Sequence, residues 1–181
     1  MVEVSPPSSF FSDQLDRIRA ASRLGAVLDL ACGRGRHCIA AAESGVAVIG
    51  IDRNRDSLAQ LRGTASRRRL AVQTVLADLE SPAEIPIGRE RCGVVLVFRY
   101  LYRPLSRAIT RILAPGGLLV YETFTADQLE LGYGPRNPHF LLRRGELCDL
   151  FSELEILEHW EGVSPDPRPA AIARLVARAH P

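Results

Sequence analysis

The residues best suited to binding chemistry form a glycine-rich turn between two apolar runs in the first third of the chain. The first run ends at Asp29, and Gly33 and Gly35 follow it before a helical pattern begins. The second run ends in Asp52, roughly 20 positions after Gly33. The order strand, glycine turn, helix, strand, acid is typical of a sheet that binds a nucleoside. The glycines let the backbone approach the ligand, and the acid accepts hydrogen bonds from the ribose hydroxyls.

The charge beside this turn favours one kind of nucleoside. A dinucleotide-binding turn has a third glycine three positions after the second, and here that position is Cys38. Asp29 would repel the pyrophosphate of a dinucleotide, whereas it would attract an ammonium group. S-adenosylmethionine combines a cationic amino-acid end with a neutral ribose, so these residues favour it. A nicotinamide-dependent dehydrogenase stays an alternative, disfavoured by Asp29 and by the lack of any lysine as a proton donor.

Four segments resemble motifs of the class I S-adenosylmethionine-dependent methyltransferases, in the order that the family has them. They are 29–35 (Asp-Leu-Ala-Cys-Gly-Arg-Gly), Asp52, 77–80 (Ala-Asp-Leu-Glu) and 113–120 (Leu-Ala-Pro-Gly-Gly-Leu-Leu-Val). The resemblance implies S-adenosylmethionine as the cofactor, with Asp78 at the adenine amino group. Ala31 stands where the family often has glycine, which is a mild change. The expected cofactor-binding residues are Asp29, Ala31, Gly33, Gly35, Asp52, Arg53, Asp78, Leu79 and Phe98.

The hydrophobic pattern predicts strands and helices in alternation. It predicts strands at about 26–30, 46–51, 70–76, 93–98, 117–123, 153–161 and 170–178, and helices at about 10–22, 36–44, 55–66, 104–113 and 144–152. The expected fold is α/β: a doubly wound, seven-stranded, mostly parallel sheet with one antiparallel strand at or near its edge. This is the Rossmann-like fold that the methyltransferase resemblance also implies.

The ends of the fourth and fifth strands are the candidate acceptor site, because ligands of such sheets bind beyond the carboxyl ends of the strands. Methyltransferases of base amines often have Asn or Asp before Pro-Pro-aromatic here, and Arg99 in that position disfavours such an activity. Arg99 has two interpretations: its guanidinium holds an anionic substrate, or it pairs with Glu122 and shapes the site. Tyr100 either packs against ligand or accepts a proton.

The stretch 124–142 is rich in Gly, Pro and aromatic residues, and we expect it to cover a small substrate. Its layout resembles small bacterial methyltransferases of the tellurite-resistance and thiopurine type. An alcohol or amine acceptor would need a general base, for which Glu122, Tyr100 and His139 are the candidates. A thiolate or chalcogen oxyanion would need none. A lone histidine such as His139 is more often structural.

Composition is consistent with a single domain over residues 1–181. The chain is 46% hydrophobic, and its net charge of +2 gives no general attraction to nucleic acid. No apolar run approaches the roughly 20 residues that cross a bilayer, and the first residues lack a signal-peptide pattern, so we expect a cytoplasmic location and no membrane contact. The four cysteines form no Cys-x-x-Cys pair, and we expect no metal site.

The expected function is methyl transfer from S-adenosylmethionine to a small acceptor that is anionic or a soft nucleophile. We expect a monomer or homodimer. An RNA methyltransferase is the first alternative, because arginine-rich surfaces can be local; a nucleic-acid partner is therefore open but not favoured. A non-catalytic S-adenosylmethionine-binding module is a further alternative. The presence of both Asp29 and Asp52 disfavours it, since the motifs of such a module would usually be eroded.

Overall fold

A computed structural model describes residues 5–81, 84–165 and 168–181 of the chain. Within these residues seven strands form one sheet. They are β1 (Ala26–Leu30), β2 (Val48–Asp52), β3 (Val72–Leu76), β4 (Cys92–Phe98), β5 (Leu113–Phe124), β6 (Glu155–Ser164) and β7 (Ala170–Arg178). Their order across the sheet is β3-β2-β1-β4-β5-β7-β6.

The helices connect these strands and cover the faces of the sheet. The α-helices are α1 (Ser9–Asp13), α2 (Leu15–Ala21), α3 (Arg36–Glu43), α4 (Arg55–Arg68), α5 (Ser106–Ile112) and α6 (Glu146–Leu150). Short 3₁₀ helices occur at Arg103–Leu105, Ala126–Leu131 and Pro138–Phe140. None of the helices in the described ranges combines the length and the apolar character that spanning a membrane requires.

The predicted sheet is confirmed. Strands β1 to β5 are parallel, and β7 runs antiparallel to both of its neighbours, β5 and β6. The continuous apolar run of β4 is buried along its whole length, as expected for a strand covered on both faces. One apolar core packs on each face of the sheet.

The predicted elements depart most from the structure in three places. The helix expected over 10–22 is interrupted at Gln14, which separates α1 from α2. Strand β5 begins at Leu113 rather than at 117, because Leu113 already pairs with Cys92 before the register shifts at the Pro-Gly-Gly turn. The stretch 124–142, expected to be irregular, contains two of the 3₁₀ helices.

Candidate functional site

Two adjoining cavities lie at the carboxyl ends of the parallel strands. The smaller has a volume of about 310 Å³ and is bordered by the ends of β2, β3 and β4. The larger has a volume of about 1010 Å³ and is bordered by the glycine turn, by α4 and by the start of β7. Ala31, Arg99 and Phe124 line both cavities, so these three residues form the boundary between them.

The glycine turn after β1 places two glycines in different surroundings. Both have left-handed backbones, with φ of 55° at Gly33 and 75° at Gly35. A Cβ on Gly33 would have no protein atom within 4 Å, so this position faces open space. A Cβ on Gly35 would collide with the Leu61 side chain. Gly35 is therefore required by the packing of α4 against the turn, whereas a side chain at Gly33 would meet no protein atom.

Ala31 also has a left-handed backbone, with φ of 53°. This conformation costs a residue with a Cβ about 1–2 kcal/mol of stability. Glycine avoids that cost, but part of the gain is lost because the unfolded chain has more conformational freedom at a glycine. We expect Ala31→Gly to raise the free energy of unfolding by about 0.5 kcal/mol. Urea denaturation measures this change. Ala40→Gly, in the interior of α3, is the control and should lower the free energy of unfolding by about 1 kcal/mol. A similar decrease for Ala31→Gly would contradict the claim that the Ala31 backbone is strained.

Asp52 ties the end of β2 to the glycine turn. Its Oδ2 accepts a hydrogen bond from the Gly33 N–H at 2.7 Å, and its Oδ1 accepts one from the Asn54 N–H at 2.7 Å. Asp78, at the end of β3, accepts one from the Glu80 N–H at 2.9 Å. The two acids both border the smaller cavity. Their arrangement suits the hydroxyl and amino groups of a nucleoside.

We expect Asp52→Ala to weaken the binding of S-adenosylmethionine by about 1–3 kcal/mol, the usual loss for a charged hydrogen-bond partner. Isothermal titration measures the dissociation constant. Asp56→Ala, an exposed acid in the first turn of α4, is the matched control and should bind as the unaltered chain does. Equal affinities of the Asp52→Ala and control variants would remove the ribose assignment.

Asp29 is only 1% exposed, although it borders the larger cavity. Burial raises the pKa of its carboxyl to about 7, although hydrogen bonds from the Cys38 thiol and backbone act to lower it. The thiol donates at 3.2 Å. Asp29 thus also holds the first turn of α3, a structural role beyond the expected attraction for an ammonium group. A cation beside it would favour its ionised form.

Arg99 pairs with Glu122, as one of its two interpretations has it, and it borders both cavities; that it holds an anionic substrate stays a prediction. Its Nε lies 3.5 Å from Glu122 Oε1, and its guanidinium lies 4.4 Å from the centre of the Phe124 ring. Its backbone is left-handed, with φ of 59°, and its N–H donates to the Glu122 carbonyl at 2.7 Å. The pKa of the Arg99 guanidinium is lowered, mainly by burial. Glu122 acts to raise this pKa, and the like charges of Arg36 and Arg174 act to lower it.

Glu122 is buried and does not line either cavity in the described chain. Its Oε2 accepts hydrogen bonds from the Arg174 Nε and from the Ser8 hydroxyl, both at 3.0 Å. Two arginines therefore neutralise this carboxylate. In this arrangement it positions Arg99, and its Oε1 has no hydrogen-bond partner among the described residues.

The remaining candidate bases differ in their access to the cavities. Tyr100 borders the smaller cavity, and burial raises the pKa of its phenol, whose oxygen has no hydrogen-bond partner within the described residues. His139 is exposed and borders neither cavity. His37 borders the larger cavity, stacks on Phe98 at 3.8 Å and accepts the Ser8 N–H. Burial lowers the pKa of His37 to about 2, so it is neutral.

The stretch 124–142 lies against both cavities. Tyr133 borders the larger one, and Pro135 and Phe140 border the smaller one. The fully buried Gln128 holds the stretch in place: its amide donates to the Tyr133 carbonyl at 2.8 Å and accepts the Ala171 N–H at 2.9 Å. These contacts are consistent with a cover over a substrate, which stays a prediction.

Arg103 anchors the far end of this stretch. Its guanidinium pairs with Glu146 at 2.7 and 2.9 Å and donates to the carbonyls of His139 and Leu141. The hydrogen bonds from Arg103 are the main reason that the pKa of Glu146 falls from 4.5 to about 2. Arg103 therefore fixes the backbone of the loop and contacts neither cavity.

We expect Glu146→Gln to lower the free energy of unfolding at neutral pH by about 2 kcal/mol, since hydrogen bonds to charged groups contribute about 1.5–3 kcal/mol. Because the folded-state pKa is lowered, the contribution is present above pH 4.5 and is lost as the pH falls towards 2. Urea denaturation at neutral pH and at about pH 3 should show the variant's deficit shrinking. Glu153→Gln, an exposed acid, is the control; a deficit independent of pH would argue against the ion pair.

Sequence reasoning missed several residues of the site. Ser8 and Arg174 contact Glu122 from opposite ends of the chain, and no local motif marks either of them. Arg36 and His37 follow the glycine turn directly, so their position alone could have indicated them. Among the residues with described positions, no three His, Cys, Asp or Glu side chains are arranged to hold a metal ion.

Comparisons with known proteins agree with this geometry. A family model described as a methyltransferase domain matches residues 27–117. The chain is 28% identical over 142 residues to the probable S-adenosyl-L-methionine-dependent methyltransferase TehB of Haemophilus influenzae, a match covering 76% of this chain and 48% of the relative. The chain thus spans about half the length of the curated relatives it matches.

Solved structures share the fold. The crystal structure of TehB from Haemophilus influenzae superposes with a TM-score of 0.72 at 22% identity, over 91% of this chain and 61% of that one. Geranyl diphosphate C-methyltransferase from Streptomyces coelicolor, crystallised with S-adenosyl-L-homocysteine, gives a TM-score of 0.68 at 14% identity, over 92% and 77%. The family match covers the glycine turn and the first four strands, so the chain belongs to the methyltransferase-domain family, the class I S-adenosylmethionine-dependent methyltransferases.

Proposed function

We propose that the chain transfers a methyl group from S-adenosylmethionine to a small acceptor whose nucleophile is anionic or soft. One observation carries the acceptor class: within the described residues, the carboxyls that line the two cavities are Asp29, Asp52, Asp78 and Glu80, of which we assign the first three to the cofactor, and neither His37 nor Tyr100 is a ready proton acceptor. His37 is neutral and holds Ser8. Burial keeps the Tyr100 phenol protonated. A nucleophile that is already anionic needs no proton acceptor.

The described residues fit the cofactor in two regions. Asp52 and Asp78 border a cavity of about 310 Å³, where we place the adenosine part. The open space at Gly33 and the adjacent Asp29 suit the methionine part. The unpartnered hydroxyl of Tyr100 is a polar group that a ligand would satisfy.

When bound, S-adenosylmethionine supplies a methyl group on a sulfonium centre, an activated leaving group. The chain's task is then to align the acceptor with this methyl group and to exclude water. Ala31, Arg99 and Phe124 lie where the two cavities meet, so we place the transfer beside them. Arg99, held by Glu122, would orient an anionic acceptor, and Phe124 would limit the access of water.

Parallel isothermal titrations with S-adenosylmethionine, S-adenosylhomocysteine and NAD test the cofactor. Binding of the first two without the third supports the proposal, and binding of NAD alone overturns it. Release of S-adenosylhomocysteine is then measured with small thiols, tellurite, small carboxylates and a short RNA as acceptors. Turnover of the RNA alone would favour the nucleic-acid alternative, and binding without any turnover would favour the non-catalytic one. A cytoplasmic location in a bacterial cell, and a monomer or homodimer, stay predictions.

A further inference from the structure

The larger cavity has an excess of positive charge. Five arginines are among its described lining residues, against the single carboxyl of Asp29. The whole chain is nearly balanced, with 23 basic and 21 acidic residues. The cavity therefore differs in charge from the protein that surrounds it.

The arginines of this cavity differ in what they contact. Arg99 is paired with Glu122, and Arg67 donates to the Thr64 hydroxyl. Arg34 and Arg36, by contrast, make no ion pair or side-chain hydrogen bond within the described part of the chain. Arg36 is partly buried, and its charge acts on the Asp29 carboxyl, whose pKa it lowers. These two guanidinium groups have donors available for a ligand.

A bound cofactor would increase this excess. S-adenosylmethionine carries a sulfonium and an ammonium group against one carboxylate, so it adds a net positive charge. Its carboxylate can satisfy one arginine, or the open N-terminus of α3, where Gly35 provides no side-chain cap. The positive charge that remains in the cavity after the cofactor binds favours an acceptor with more than one negative charge.

The size and the walls of the cavity exclude a bare oxyanion as the only occupant beside the methionine part of the cofactor. At about 1010 Å³ it reaches the upper end of the range for sites of organic ligands, about 300–1,000 Å³. A water molecule takes only about 30 Å³, and an oxyanion with three oxygens is a few times larger. The stacked rings of His37 and Phe98, with Phe124 and Tyr133, supply an apolar wall.

We propose that the larger cavity binds an organic acceptor bearing a phosphate or diphosphate group, with Arg34 and Arg36 on the phosphate oxygens and Phe98 and Phe124 against its apolar body. This rests on the proposed function, since it names the acceptor of the same site. Planar guanidinium forks match phosphate geometry, and a phosphate brings the two negative charges that the cavity lacks.

Titration of inorganic pyrophosphate into the chain saturated with S-adenosylhomocysteine tests the site. We expect binding, and we expect the double variant Arg34→Gln/Arg36→Gln to lose about tenfold or more in affinity. Arg107→Gln, an exposed arginine on α5 outside both cavities, is the matched control and should bind as the unaltered chain does. Acetate and tellurite, titrated in the same way, should bind at least about tenfold more weakly than pyrophosphate, because each offers fewer charges to the arginines.

The outcomes separate this inference from the proposed function. If S-adenosylhomocysteine binds and pyrophosphate does not, the phosphate site is overturned and the methyltransferase proposal stands. Equal losses of pyrophosphate affinity in the double variant and in Arg107→Gln would also overturn the phosphate site. Tight binding of a short RNA, without binding of pyrophosphate, would overturn it as well. If S-adenosylhomocysteine fails to bind while pyrophosphate binds through Arg34 and Arg36, the anion site stands and the proposed function falls.

Discussion

The Gly33→Val variant should fold and yet bind S-adenosylmethionine about 100-fold more weakly or worse, a loss of about 2.8 kcal/mol. A Cβ at this position meets no protein atom within 4 Å, so the valine methyl groups would project into space that the proposed cofactor fills. The protein itself loses only the cost of a left-handed valine, about 1–2 kcal/mol. Titration calorimetry gives the affinity, and thermal denaturation gives the stability.

Two other glycines provide controls for this experiment. Gly45 has φ of 88° and the same open surroundings, but it lies in the turn after α3, at the opposite end of this helix from Gly33. Gly45→Val should therefore show a similar loss of stability with normal binding. Gly35→Val should instead disturb folding, because its side chain collides with Leu61. Retained binding in Gly33→Val would place the cofactor elsewhere.

Replacing Glu122 by glutamine should lower the free energy of unfolding by about 3 kcal/mol, as expected when a buried ion pair loses one partner. Arg99 and Arg174 both point at this carboxylate, with side chains only 25% and 20% exposed. The amide keeps the shape but removes the charge that compensates both guanidinium groups. Urea denaturation measures the change.

The same variant separates a structural role from a catalytic one. A general base would lose turnover with its stability intact, which is the result that would contradict our assignment. Glu155→Gln is the matched control, because Glu155 pairs with Arg178 on the surface at 3.7 Å with both side chains about half exposed. We expect a change within about 0.5 kcal/mol for this exposed pair.

Local pattern was enough to predict the fold. The apolar run of β4 is continuous because both of its faces are covered, so its length and burial could be read from the residue types. The strand bounds of β1 and β7 were predicted to the residue. The break at Gln14 was not predictable, because the helical pattern of 10–22 continues through it. A long-range contact accompanies the break: the Gln14 side-chain amide donates a hydrogen bond to Glu158, which is 144 positions away.

The candidate site divides in the same way. Asp52 and Asp78 could be placed from the sequence, because parallel strands bring their carboxyl ends to one edge of the sheet. The neutralisation of Glu122 could not be predicted from the sequence, because its partners Ser8 and Arg174 lie 114 and 52 positions away. His139 was a reasonable candidate by position, but the loop turns its side chain outward. Its backbone is held instead: the carbonyl accepts from Arg103, and the N–H donates to the Asn137 side chain.

The place of β7 between β5 and β6 has a consequence for the order in which the protein matures on the ribosome. Strands β1 to β5 precede it in the chain, so the half of the sheet that carries the glycine turn can assemble before β7 is synthesised. Until β7 pairs with β5, Glu122 lacks Arg174 and the larger cavity lacks the wall at Ala170. Under the proposed function, the part of the site that we assign to the nucleoside would therefore be complete before the part that we assign to the acceptor.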